Sequence, residues 1–195
     1  MSAAGKVCIG FSKPYVALYT NEGTTVTYTS GQLLARGVDV SIEPETSDDN
    51  AFYADNTQAE NDAGTFTGGT LNLTVDGLHL AAEKLIMGLP APDEQGWINY
   101  DDDQKIPYVG VGYVAKYMSG GVVTYDATVI RKVKFNQIQT SHATSEDSVN
   151  YQTQALTGRI ERADDPKRKW KAVNEDLETE AAAEAAIKTL FGISG

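Results

Sequence analysis

One cysteine, two histidines and no long apolar run set the first limits on this chain. Cys8 has no second cysteine with which to close an internal disulfide, which fits synthesis in a reducing cytoplasm. His79 and His142 lie far apart in the sequence, neither has a cysteine nearby, and no metal-ligand spacing results. No segment approaches the roughly 20 consecutive apolar residues of a membrane span. The stretch from Met1 to Gly10 carries one Lys and no apolar core of the kind a secretory signal needs.

Basic residues are scarce as well. Sixteen Lys and Arg against 27 Asp and Glu give a net charge of −11, which argues against a tight grip on a nucleic-acid backbone. The excess is local. Glu43, Glu45, Asp48, Asp49, Asp55, Glu60 and Asp62 form one base-free stretch, and Asp93, Glu94, Asp101, Asp102 and Asp103 form another. Those twelve acids exceed the whole net charge, so the rest of the chain is close to neutral.

Catalytic motifs are missing too. There is no nucleophile elbow, no Walker loop and no dinucleotide-binding glycine pattern. Gly110-Val111-Gly112 sits inside a strand pattern with no helix behind it, which reads against a phosphate loop and suggests a bulge or the close approach of another backbone. Asp101-Asp102-Asp103 lacks the alternate spacing and the turn glycine of a calcium loop, so it reads as a solvated acidic loop. Paired carboxylates of the glycosidase kind carry no signal in a chain so rich in acids. The expectation is a protein that is not an enzyme and holds no metal or cofactor.

What the chain does have is strands. Tyr15–Thr20 and Thr24–Thr29 flank a turn at Asn21-Glu22-Gly23. From Gly37, Val38, Val40 and Ile42 alternate with Asp39, Ser41 and Glu43, the pattern of a half-buried strand. Ala51–Ala54 and Thr57–Asn61 flank Asp55-Asn56 as a hairpin. Leu71, Leu73 and Val75 alternate with Thr70, Asn72, Thr74 and Asp76. A short helix follows, capped by Asp76, carrying Leu78, Ala81, Ala82 and Leu85, and ended by Gly88. Leu89 to Ile106 reads as a long loop.

Tyr108–Tyr117 and Val122–Phe135 read as a long hairpin, and Val149–Ile160 as the last long strand. A basic stretch, Lys167-Arg168-Lys169-Trp170-Lys171, comes next. It reads as a solvated turn or a contact with an acidic neighbouring subunit, in preference to a nucleic-acid strand site. The closing helix has Thr179 as its cap, Gly192 as its stop, and Ala183, Ile187, Leu190 and Phe191 as its apolar stripe. Ile187, Leu190 and Phe191 are expected to dock on the sheet. The sum is a single mainly-β domain of about eight strands. We expect an antiparallel β-sandwich or small barrel with a short helix after the fifth strand and a C-terminal helix. Residues 1–35 form an arm and hairpin, 36–160 the core, and 161–195 the basic loop and helix.

Several segments in order carry a resemblance. They are Asp39-Val40-Ser41-Ile42-Glu43-Pro44-Glu45, Ala51-Phe52-Tyr53-Ala54-Asp55-Asn56, and the stretch from Gly69 to Leu78. Pro107 to Tyr113, Tyr125 to Phe135 and Tyr151 to Gly158 continue the series. Together they resemble the major tail proteins, or tail tube proteins, of siphovirus-type long-tailed bacteriophages and prophages. The resemblance runs from about Asp39 to Ile160 and is weakest in the first 35 residues and in the loop Leu89–Ile106. It implies a tail tube fold, hexameric rings stacked around a channel for double-stranded DNA, and a virion location after synthesis in the host cytoplasm. It also implies tape-measure, tail-tip and tail-terminator proteins as partners, and no catalytic residues.

Under that reading Asp39, Ser41, Glu43, Thr70, Asn72 and Thr74 are candidate lumen-facing residues. Asp48, Asp49, Asp101, Asp102 and Asp103 are candidates for acidic loops between subunits or rings. The competing readings are a tail terminator, a sheathed-tail tube subunit, or a carbohydrate-binding β-sandwich, whose planar set of exposed aromatics the scattered tyrosines do not suggest.

Overall fold

A computed structural model describes residues 5–48, 50–54, 57–62, 64–140, 144 and 151–193, with the backbone alone described for 50–62. Ten strands and two helices are found among them. In order they are β1 (Val7–Glu22), β2 (Thr25–Leu33), β3 (Gly37–Thr46), β4 (Asn50–Ala54), β5 (Thr57–Asp62), β6 (Phe66–Val75), α1 (Leu80–Met87), β7 (Val109–Ser119), β8 (Val122–Phe135), β9 (Gln154–Glu161), β10 (Lys171–Leu177) and α2 (Glu180–Leu190). The protein is mainly β, with every strand pairing antiparallel. Eight strands form one sheet in the order β2-β1-β7-β8-β9-β6-β3, with β10 alongside β8, while β4 and β5 pair only with each other.

β8 makes the sheet bend. Its first part, Tyr125–Ile130, pairs with β10, and its last part, Lys132–Phe135, pairs with β9. The two ends of the sheet therefore face each other across one core. Leu71, Leu73, Val75, Leu156 and Ile160 come from one end; Val16, Val109, Val111, Ile130 and Val133 come from the other. Ala82, Ile86 and Met87 of α1 pack into the same cluster. Each large apolar side chain buried there contributes about 1.5–3 kcal/mol, and the period-two alternation of β6 and β9 is what aims them inward.

The opposite face of the sheet carries α2. Gly110 and Gly112 of β7 leave the floor on which it lies. A Cβ at Gly110 would stand 2.6 Å from Tyr28 Cε1 and 2.8 Å from Phe191 Cε1; at Gly112 it would stand 2.6 Å from Ile187 Cγ2. The pairing register with β8 shifts between Val109 and Val111, an irregularity of the kind expected at these glycines, and the close approach there is made by side chains, not by another backbone. Thr179 caps α2, its side chain accepting from Ala182 N at 3.1 Å. Ala183, Ile187 and Phe191 are buried in a second cluster with Val114, Ala127 and Val129, and Leu190 is half-buried against it.

Several local expectations are corrected. Asp76 does not cap α1, which starts later, with His79 at its N-cap and no side-chain cap bond. Asp76 instead accepts from the Arg36 backbone N–H, and its carboxylate pairs with the Arg36 guanidinium, joining two strand ends. Gly88 does end α1, in the left-handed region at φ 65°. The helix follows β6, one strand later in the count than expected though at the expected place in the chain. The buried positions of α1 are Ala82, Ile86 and Met87, whereas Ala81 is exposed. Of the expected strand Val149–Ile160, Tyr151–Thr153 are irregular and Val149 and Asn150 lie outside the described residues. β10 was not expected at all. The expected N-terminal hairpin is β1 and β2; β1 lies between β2 and β7, and its residues Val16 and Ala17 are fully buried. No helix among the described residues is long and apolar enough to cross a membrane.

Candidate functional site

The outer side of the sheet, which α2 covers over β7 and β8, is polar where it continues onto β3, β6 and β9. The pairing places Asp39 beside Thr74, Ser41 beside Asn72 and Glu43 beside Thr70. On the far side of β6, Thr74 lies beside Ala155, Asn72 beside Thr157 and Thr70 beside Arg159. All six residues singled out as a polar face therefore do share one, because partners in an antiparallel ladder project to the same side. Asp39, Ser41 and Glu43 on the edge strand are exposed, and Thr70, Asn72 and Thr74 are half-buried.

Asn72 is the centre of this face. Its side-chain amide donates to Ser41 Oγ at 3.5 Å and Glu43 Oε1 at 3.4 Å, and its carbonyl oxygen accepts from Thr157 Oγ1 at 3.2 Å. One end of the face is closed by Glu45 and Arg159, whose carboxylate and guanidinium meet in a two-pronged pair, with Nη2 to Oε2 at 2.7 Å. The Arg159 guanidinium beside it holds the Glu45 carboxyl below the usual carboxylate range. Lys134 lies beside Arg159 and Lys132 beside Glu161 in the β8–β9 pairing, so they extend the same face. Lys132 is bound to Asp164 at 2.9 Å. Acids outnumber bases here, Asp39, Glu43, Glu45, Glu161 and Asp164 against Arg159, Lys132 and Lys134, so the face carries a small net negative charge.

The first acidic loop is described only in part. Asp48 is exposed beyond the end of β3, and Asp49 lies outside the described residues. In the other loop the acids build turns: Asp93 Oδ1 accepts from Gln95 N at 3.0 Å and Trp97 N at 2.7 Å, and Asp101 Oδ1 accepts from Asp103 N at 3.0 Å. Asp102 and Asp103 are exposed. Among the described residues no three His, Cys, Asp or Glu side chains cluster as metal ligands would. His142 lies outside those residues.

The basic stretch is also resolved into structure. Trp170 stacks flat on Phe66, with ring centroids 4.3 Å apart and planes 7° apart, and it packs against the main core. A ring occupied in that way is not a platform for a base. Lys169 pairs with Asp165, and the Trp170 carbonyl accepts from Arg131 N as the chain enters β10.

Three polar clusters escaped sequence reasoning. Lys6 Nζ binds Asp126 at 2.8 Å and Asp176 at 2.9 Å, tying the start of β1 to β8 and β10. Glu184 of α2 gathers Lys13, Lys188 and Tyr15, which together lower its pKa to about 2. The third is the Glu45–Arg159 pair, two residues 114 positions apart. Only the Lys188–Glu184 spacing of one helical turn was available to a reader of the sequence.

What this arrangement offers chemically is a hydrogen-bonded polar surface across three strands. Comparison with protein-family models and with curated proteins finds no match to the chain.

Proposed function

We propose that the protein is a structural subunit that assembles with copies of itself, and specifically the major tail tube protein of a long-tailed phage or prophage. Hexameric rings would stack into a conduit through which double-stranded DNA leaves the capsid. The polar face of β3, β6 and β9 carries the reading. It lies away from the strands that α2 contacts, carries more acids than bases, and is bounded by β3, the last strand of the sheet. A strand in that position offers unpaired main-chain groups to a neighbour, and ring closure removes the exposed edges. A conduit wall must not hold its cargo. A duplex carries about one phosphate charge per 1.7 Å of axis, so a basic wall would bind it and a polar wall that is not basic lets it slide.

The ordered sequence segments support the same reading, and three of the six fall on the strands that build the face, β3, β6 and β9. Concentrated purified protein is expected to form rings or tubes, seen by negative-stain microscopy, with a lumen wide enough for a duplex. A species that stays strictly monomeric by light scattering at about millimolar concentration, near the affinity limit of the weakest specific contacts, would overturn the reading.

A further inference from the structure

We infer that Glu45 masks Arg159, and that this masking is what keeps the polar face from binding duplex DNA. The inference rests on the conduit reading, because only a passing polyanion gives such masking a use.

Three observations meet at this point. The first is the pair itself: both terminal nitrogens of Arg159 are engaged by the two oxygens of Glu45. A two-pronged bond of this kind occupies the fork that would otherwise meet a phosphate. The second is Gly68, which lies opposite Glu45 in the β3–β6 pairing. A Cβ at Gly68 would stand 2.5 Å from Arg159 Nη2 and 3.0 Å from its Cζ, so the guanidinium lies down along the sheet over a residue that has no side chain. The third is the treatment of the neighbouring cations. Lys132 is bound to Asp164 and lies 4.5 Å from the centre of the Tyr108 ring, and Lys134 lies 5.6 Å from that ring. Arg162, next along the chain from β9, donates to the Phe66 carbonyl.

Lys132 and Arg162 thus have internal partners, while Lys134 is exposed beside the Tyr108 ring. Arg159 is the one whose partner is a single exposed acid, since both side chains are about half exposed. Without the Glu45 charge, Arg159 is free to rise from Gly68 beside Lys134, its partner in the β8–β9 pairing. Two adjacent free cations on a flat sheet make a phosphate contact; a masked one does not. Exposed ion pairs add little to folding stability, so the pair can be cut without losing the fold.

The test measures binding of a fluorescein-labelled DNA duplex to the full-length protein by anisotropy, at low salt of about 50 mM. Wild type and R159Q are expected to bind only weakly. E45Q should bind on the order of tenfold more tightly, with affinity falling linearly against log salt, and E45K more tightly still. The decisive variant is E45Q/R159Q, which should return to the wild-type level. If E45Q and E45K bind no better than wild type, or if E45Q/R159Q keeps the gain, the masking idea is wrong. Far-UV circular dichroism of each variant checks that the sheet is intact. Tube formation by wild type is read separately: tubes without an arginine-dependent gain overturn the masking alone, whereas absence of tubes overturns the conduit reading.

Discussion

The Phe191 ring lies over Gly110, so close that a methyl group on Gly110 would stand 2.8 Å from its Cε1 atom. Phe191 is 1% exposed and ends the helix that covers β7 and β8. Truncating it to Ala should cost about 3–5 kcal/mol in chemical denaturation. Gly110→Ala should cost about 1–3 kcal/mol by overpacking. In the double variant the new methyl enters the space the ring has left, so the combined loss should be smaller than the sum. Strict additivity would mean that the helix does not rest on that glycine.

Glu184 ties α2 to β1, and its contribution should fade in acid. Lys13 first, then Lys188 and Tyr15, hold its pKa at about 2, below the ordinary 4.5. A depressed carboxylate contributes stability above the unfolded value, and that contribution is lost as pH falls from about 4.5 toward 2. Glu184→Gln should therefore destabilise the protein by about 1–3 kcal/mol at neutral pH. Its deficit against wild type should shrink as denaturation is repeated at pH values stepping down through that window. A deficit that stays constant in acid would show that the charge of Glu184 is not what its neighbours recognise.

Assembly should be held back by charge. The stretch from Glu43 to Asp62 holds seven acids and no base, and ring formation would repeat it around a circle. Like charges brought within a Debye length, about 8 Å at physiological salt, repel. Turbidity or microscopy should show tube formation speeding up from low to high salt. Replacing Asp48 and Asp49 with Asn should give part of that acceleration at low salt. Rates indifferent to both treatments would place this stretch away from the contacts between subunits.

Strand patterns with strict alternation were legible in advance. The two faces of β6, the hairpin of β7 and β8, and the cap and stripe of α2 follow from spacing along the chain, whereas Val38 of β3, expected to point with Val40 and Ile42, is 54% exposed where the register shifts between Gly37 and Asp39. β10 was not legible, because Lys171–Leu177 has charged residues where a strand pattern needs apolar ones. It forms because β8 offers an edge and Asp126 accepts from Asp176 N at 3.0 Å. Asp76 likewise has a helix-capping composition, yet Arg36, forty residues away, takes its carboxylate.

The sequence by itself therefore determined the inward and outward faces of β6 and the buried stripe of α2, since side-chain period is a local property of strands and helices. It also determined where α2 starts, because a capping hydroxyl acts within one turn. Only the tertiary structure decided that the six polar residues of β3 and β6 lie on one wall with Thr157 and Arg159 of β9. That wall depends on pairing register, which is set by contacts between segments far apart in the chain. The same holds for Glu45 and Arg159: nothing in the sequence around either residue specifies the other. They meet because β6 lies between their strands and Gly68 leaves the gap through which a guanidinium can reach.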